Sequence, residues 1–510
     1  MFKKANESFQ EYRDRVVDPI SPSFCGAKWY NASIWLNNGM TASCHHPPAH
    51  KIPLDELKKS MKALHNTEYK KLVRQEMLLG QKPKECDYCW RVEALGPDKV
   101  SDRVYKSVIY SDADLQACAF DLGANADVDL KTLEIAFDSN CNFSCSYCNP
   151  SFSTSWQGDV KTNGPYQNLV SDGAGAFQQD GSWTIPYGLK NEGNPYIEAF
   201  WKWWESDLQK SLKELRITGG EATMSPEFWK LMDWWKQHPE CEVNLAVNSN
   251  LGAKKSLIQR LAESSRSFKH FELYTSNEAF GAHAEYIRDG LVWDTWLENL
   301  HLMSNEGNCH AMHAMLTNNS LCLFSLVEFM EEMFKVKEQY KKKSPYMSFN
   351  ILRFPSFMSI VTLPKHIREK QGAIIEKWFN ENKNRPYFDQ FEKDSLERLI
   401  AYIKNVEVGH SHTSSIESRE RDFKSFFTQY DMRRGKNFRE TFKDHSDLIE
   451  WYDGIPETNI QPLIQFKSGD SSGYADQIAE ELKEKAKKEG WVLNPQGANP
   501  GSQEFKETAE

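Results

Sequence analysis

From Leu133 onward the chain alternates short apolar, β-prone runs with longer amphipathic ones, a pattern confined to repeated βα units around a parallel sheet. The runs are "LEIAFD" at 133, "LRIT" at 215, "EVNLAVNS" at 242, "FELYTS" at 271, "HAMHAMLT" at 310 and "YMSFNIL" at 346. Six strands predict an α/β fold, a partial (β/α)6 barrel of the TIM type over residues 130–370. Between them, "SPEFWKLMDWWKQHP" repeats Phe228, Leu231, Met232 and Trp235 at helical spacing, with Ser225 and Pro226 suited to N-cap and N1. That helix follows a glycine pair, and parallel α/β folds place ligands at such turns, beyond the carboxyl ends of the strands.

The 510 residues suit two or three domains, and the net charge of -10 with scattered basic residues excludes a general DNA, RNA or anionic-bilayer binder. The first twenty residues are broken by charge, so no cleavable secretion signal is expected. The most apolar run, "SLCLFSLVEFMEEMF", is too short and acidic for a membrane span. A soluble protein of a reducing cytoplasm is expected. Residues 149–214 make an unusually long first connection and read as a lid; Trp201, Trp203 and Trp204 at its end read as packing. Residues 371–490 read as a helical C-terminal region, 491–510 as a flexible tail, and the basic residues of "YDMRRGKNFR" at 430 as a solvated face or a partner or nucleic-acid surface.

Eleven cysteines are too few for a disulfide scaffold, yet seven cluster: Cys25, Cys44, Cys86 and Cys89, then Cys141, Cys145 and Cys148. Clustering in a reducing compartment points to metal. In "DSNCNFSCSYCNP" three thiolates follow the first strand of the βα run. Structural zinc takes four ligands, whereas a 4Fe-4S cubane on three cysteines leaves one iron open to a small chelator. Zinc completed by a distant residue, or three surface thiols, are the bland alternatives.

The CxxxCxxC spacing, with Tyr147 before the last cysteine, resembles the radical S-adenosylmethionine (SAM) superfamily, as does "RITGGEAT" at the end of the second strand. The resemblance covers residues 130–365. It implies a 4Fe-4S cluster on Cys141, Cys145 and Cys148, SAM as cofactor, and SAM contacts from Tyr147, Gly219, Gly220, Glu221, Asn248, Asn250 and Ser276. Arg288 would pair with the SAM carboxylate, a geometry that suits guanidinium. Alternatively Arg288 is a solvated helix residue, and Asn248 and Ser276 cap strand ends.

"FCGAKWYNASIWLNNGMTASCHHPP" followed by "KECDYCW" is similar to the SPASM or twitch auxiliary-cluster module, and residues 1–115 are assigned to it. Its "SIWLNNGMTASC" reads as a hairpin turning on Asn38-Gly39, which brings Cys44 near Cys25. Cys86 and Cys89 complete four ligands, for a second 4Fe-4S cluster or for structural zinc. His45 and His46, adjoining Cys44, read as exposed loop residues, the alternative being that they tune or replace a ligand. These modules usually follow the barrel, and this one precedes it, a permutation accommodated if the module docks on the barrel mouth.

The resemblance implies reductive cleavage of SAM to a 5'-deoxyadenosyl radical that abstracts a substrate hydrogen. The expected substrate is a peptide or protein, oxidatively modified; a small molecule or nucleoside is the second choice, and a noncatalytic zinc or redox-responsive binding module the rival from another class. A flavodoxin- or ferredoxin-type reductant is implied. The permuted module and the "RRGKNF" stretch resemble twitch-domain radical SAM proteins of tailed phages, which would place the chain in a host cytoplasm.

Overall fold

In the computed structural model, which describes residues 2–178, 193–405 and 412–457, the N-terminal segment forms β1 (Asn31–Trp35), β2 (Met40–Ala42) and β3 (His50–Lys51). There follow β4 (Thr132–Ala136), β5 (Ser144–Cys145), β6 (Glu214–Thr218), β7 (Asn244–Ser249), β8 (Phe271–Ser276), β9 (Arg288–Asp289), β10 (Ala311–Asn318) and β11 (Tyr346–Ile351). The six expected runs are β4, β6, β7, β8, β10 and β11, adjacent in that order and parallel. The described residues all belong to one compact unit, and the expected tail at 491–510 and residues 458–490 of the C-terminal region lie outside them.

Alternation decides which face each strand presents. Leu133, Ile135, Leu215, Ile217, Leu245, Val247, Leu273 and Leu316 are at most 2% exposed and share one core with Phe228, Leu231 and Trp235 of the helix Pro226–Gln237. Most intervening positions are polar: Glu134, Arg216, Tyr274, His313 and Tyr346 occupy the opposite face, with the small Ala246 and the apolar Met315 among them. Parallel sheets covered on both sides are apolar throughout, so the alternation marks the second face as the lining of a cavity. Ser225 precedes the helix as expected, but its hydroxyl makes no capping bond. The three tryptophans pack as expected: Trp203 is fully buried and donates to Asp129, and Trp201 donates to Glu227.

The N-terminal segment does not dock on the mouth of a barrel. It joins the sheet, with β1 parallel to β4 in the register Asn31 to Thr132 and Trp35 to Ala136. The hairpin is present, but Trp35 pairs with Met40, leaving Leu36–Gly39 as a four-residue loop instead of a two-residue turn. The cause is competition: Leu36 N–H donates to Ala136 O at 2.9 Å and so belongs to the β4 ladder.

At the other edge, the helix Gln390–Asn405 lies on β11. Met347 N–H donates to Glu392 Oε1 at 2.7 Å and Phe349 N–H to Ser395 Oγ at 3.1 Å. Glu392 is itself paired with buried Lys337 at 3.0 Å.

The helix Ile416–Arg434 overturns the expectation of a solvated basic face. The side chains of Arg433 and Arg434 are 0% and 6% exposed. Arg433 donates to Gly164 O at 2.7 Å and Pro165 O at 3.0 Å, and Arg434 to Asp289 at 3.1 Å and to the Tyr166 hydroxyl at 2.7 Å. These residues hold the long first connection, as does Asp422, which accepts from Val170 N, Ser171 N and Ser171 Oγ at 2.9, 2.7 and 2.6 Å. Asp422→Ala strands two backbone donors in a buried site. It is expected to cost about 3 kcal/mol, read by denaturant unfolding, with faster amide exchange over residues 167–172 than elsewhere.

Candidate functional site

The chain leaves β4 at Ala136 and turns through residues 138–150, carrying Cys141, Cys145 and Cys148 past the carboxyl end of the strand. Three anchors fix this loop. Thr154–Asn163 is a helix whose start grips it: Ser155 Oγ donates to Cys141 O at 2.6 Å, Ser153 Oγ to Phe143 O at 2.7 Å and Trp156 Nε1 to Cys145 O at 3.0 Å. The short antiparallel bridge of β5 and β9 places Cys145 opposite Arg288, extended by Ser146 N–H to Ile287 O at 2.7 Å.

The glycine-glutamate turn after β6 is the third anchor. A Cβ on Gly219 would lie 2.7 Å from Asp138 O, and one on Gly220 2.2 Å from Asn140 O, so the close approach these glycines permit is to the cysteine loop itself. Glu221 N–H donates to Asn140 O at 2.6 Å. The Glu221 carboxylate, 1% exposed, accepts from Thr223 N (3.1 Å), Thr223 Oγ1 (2.6 Å), Ser249 Oγ (2.8 Å) and Asn250 N (2.6 Å). Burial nevertheless holds its pKa above the ordinary carboxylate value.

Burial first, then mutual repulsion with neighbouring sulfurs, raises the Cys141 thiol to about 12 and raises Cys148 as well. Cys145 is raised by burial against the pull of Arg288. Among the described residues no three of the sulfurs lie within 4.8 Å, whereas sulfurs on one zinc, each about 2.3 Å from the metal, sit about 3.8 Å apart. Arg288 Nη1 donates to Cys145 Sγ at 3.7 Å and Asn250 Nδ2 approaches Cys141 Sγ at 3.9 Å.

The loop thus gathers the three cysteines with Tyr147, Gly219, Gly220, Glu221, Asn250 and Arg288. Asn250 also donates to Asn142 Oδ1 at 2.9 Å. Asn248 and Ser276 sit on the cavity face at the ends of β7 and β8; Asn248 Oδ1 is buried with no partner, an acceptor a bound molecule would satisfy. Arg288, at 4% exposure, is no solvated residue. Its partner Glu278 escaped notice in the sequence because nothing local distinguishes it, although it lies two residues past Ser276.

The four N-terminal cysteines also converge: Cys25, Cys44, Cys86 and Cys89 line one cavity with Lys28, His46 and Asp102. Burial and mutual repulsion raise Cys25 to about 12, and burial raises Cys86 to about 11. Lys28, 2% exposed and paired with Glu85, supplies a buried cation beside the thiols. Here too no three sulfurs lie within 4.8 Å among the described residues. Cys25 precedes β1 and Cys44 follows β2, so this set lies at the amino end of the parallel strands and the Cys141 loop at the carboxyl end. A second cavity of about 180 Å³ runs from Cys44 and Lys106 to Glu134 and Arg216 on the polar face. His45 is exposed as expected; His46 is not, being bonded to Asp102 at 2.6 Å and stacked on Tyr88.

No protein-family model matches the chain, and no curated protein does. Solved structures similar to it include native anSMEcpe with bound AdoMet and Kp18Cys peptide, at 14% identity over 50% of this chain and 63% of that chain, with a TM-score of 0.31. Streptococcus suis SuiB bound to S-adenosylmethionine is matched at 13% identity over 69% of each chain, TM-score 0.32, and SuiB bound to its precursor peptide SuiA at 13% over 72% and 71%, TM-score 0.31. The chain spans less than two thirds of the anSMEcpe length it matches. No helix among the described residues is long and apolar enough to cross a membrane.

Gly220→Ala forces the backbone of the cysteine loop away from the β6 turn. It is expected to destabilise by about 1–3 kcal/mol, with amide exchange at residues 140–143 accelerated; equilibrium unfolding with exchange mass spectrometry reads both.

Proposed function

We propose that this chain is a radical SAM enzyme, with Cys141, Cys145 and Cys148 as ligands of a 4Fe-4S cluster and a second cluster on Cys25, Cys44, Cys86 and Cys89. The observation that carries the proposal is the convergence of three cysteines beyond the carboxyl end of β4, braced by the glycine-glutamate turn of β6. When bound, the cluster would give SAM, chelated at its open iron, the electron that splits a carbon-sulfur bond and releases a 5'-deoxyadenosyl radical. Everything else falls to the chain's own residues. Asn248, with its unpartnered carbonyl oxygen, and Ser276 line the strand ends where SAM would lie. The helix Ile416–Arg434 holds the first connection, whose start holds the cysteine loop through Ser153, Ser155 and Trp156.

The reaction we favour is oxidative modification of a peptide or protein, with electrons from a flavodoxin- or ferredoxin-type donor in a host cytoplasm. A two-ended arrangement supports it, since a net oxidation needs one site to start and another to take up the electron left behind. The polar strand face, with Glu134 and Arg216 directly opposite each other, offers hydrogen bonds to polar groups of a chain held between the two ends.

Anaerobic reconstitution with iron and sulfide is expected to give roughly eight irons per chain, falling to roughly four when Cys86 and Cys89 are both changed to Ala. Zinc in their place would reject the second cluster. The reconstituted, reduced chain should convert SAM to 5'-deoxyadenosine, and Cys145→Ala should lower that to background in a chromatographic assay. Persistent cleavage in Cys145→Ala would overturn the assignment.

A further inference from the structure

We infer that the buried Arg288–Glu278 pair tunes the reduction potential of the cluster on Cys141, Cys145 and Cys148, and that Arg288 is a positioning residue of that cluster instead of the clamp for the SAM carboxylate; this rests on the three cysteines being cluster ligands. Arg288 stands directly across the β5–β9 bridge from Cys145, and its Nη1 donates to Cys145 Sγ at 3.7 Å. The other edge of the guanidinium is taken: Nε and Nη2 both donate to Glu278 Oε2, at 3.1 and 2.6 Å. The two side chains are 5% and 1% exposed. A second carboxylate would have to displace the first from a dry site, which the fork geometry and burial oppose.

Tyr147, the residue before Cys148, completes the arrangement. Its hydroxyl donates to Glu278 at 3.1 and 3.2 Å, and its ring lies 5.3 Å from the Arg288 guanidinium carbon. The pair is therefore held to the same loop that carries the cysteines.

The electrostatic consequence has a definite sign. Reduction adds negative charge to a cluster, and a cation donating to a ligand sulfur stabilises the reduced state, with little screening at this depth. Glu278 lies behind Arg288 and offsets part of that effect. The nearer charge dominates, so removing the two partners one at a time shifts the equilibrium in opposite directions.

The test is potentiometry of the anaerobically reconstituted full chain, with the reduced cluster read by electron paramagnetic resonance and SAM binding by calorimetry. Arg288→Gln is expected to lower the reduced-to-oxidised ratio at fixed potential about tenfold, equivalent to about 59 mV for a one-electron couple, and Glu278→Gln to raise it. SAM affinity should stay within about threefold in both. Where a single variant fails to fold, Arg288→Met with Glu278→Leu removes both charges together and should still lower the ratio. Unmoved ratios, shifts of the same sign in both single variants, or a tenfold loss of SAM affinity in Arg288→Gln at an unchanged ratio would overturn the inference alone. A wild-type chain that takes up no iron-sulfur cluster would overturn the functional proposal, and the inference with it.

Discussion

One buried carboxylate joins the parts on which the candidate chemistry depends. Glu221 gathers donors from its own turn, from the end of β7 and from the segment beyond it, while its backbone N–H reaches the cysteine loop. Three strand ends that are remote in sequence thereby become one rigid platform. A charged acceptor with four donors is among the stronger ties available in a dry interior, and leaving those donors empty would cost more than the bonds add. The geometry of the cysteines is inherited from this platform, because their own loop has little regular structure beyond the two residues of β5.

The sheet serves two purposes through its alternation. Its apolar face supplies the core against the helices, and its polar face, at Glu134 and Arg216, lines a cavity that reaches Cys44. A five-residue parallel strand spans about 16 Å, so the groups at its two ends are separated by roughly the depth of the sheet. Adding β1 alongside β4 sets the N-terminal cysteines at the amino end without any interface between separate bodies.

The strands, the helix after the glycine pair and the hairpin were legible because each is encoded by local periodicity or turn chemistry. So was the grouping of the cysteines, since thiols of one site tend to lie close in sequence. The long-range partners were not. Nothing in "YDMRRGKNFR" reports that Arg433 and Arg434 face Asp159 and Asp289, more than 140 residues away in the chain, and a basic run reads as solvated until its partners are placed. The packing of the glycine pair against the carbonyls of residues 138 and 140 is equally invisible in the sequence, since those carbonyls lie far upstream. In the hairpin, a neighbouring strand claimed Leu36, which no local turn rule foresees.

The helix lying on β11 has a bearing on how a polymeric substrate could be recognised. With the amides of Met347 and Phe349 already engaged by Glu392 and Ser395, those two donors of the sheet margin are closed to an extended peptide adding as a further strand. The same capping guards against edge-to-edge association between copies. A peptide reaching this margin could not pair with those two amides, which leaves its side chains as the groups to be recognised there.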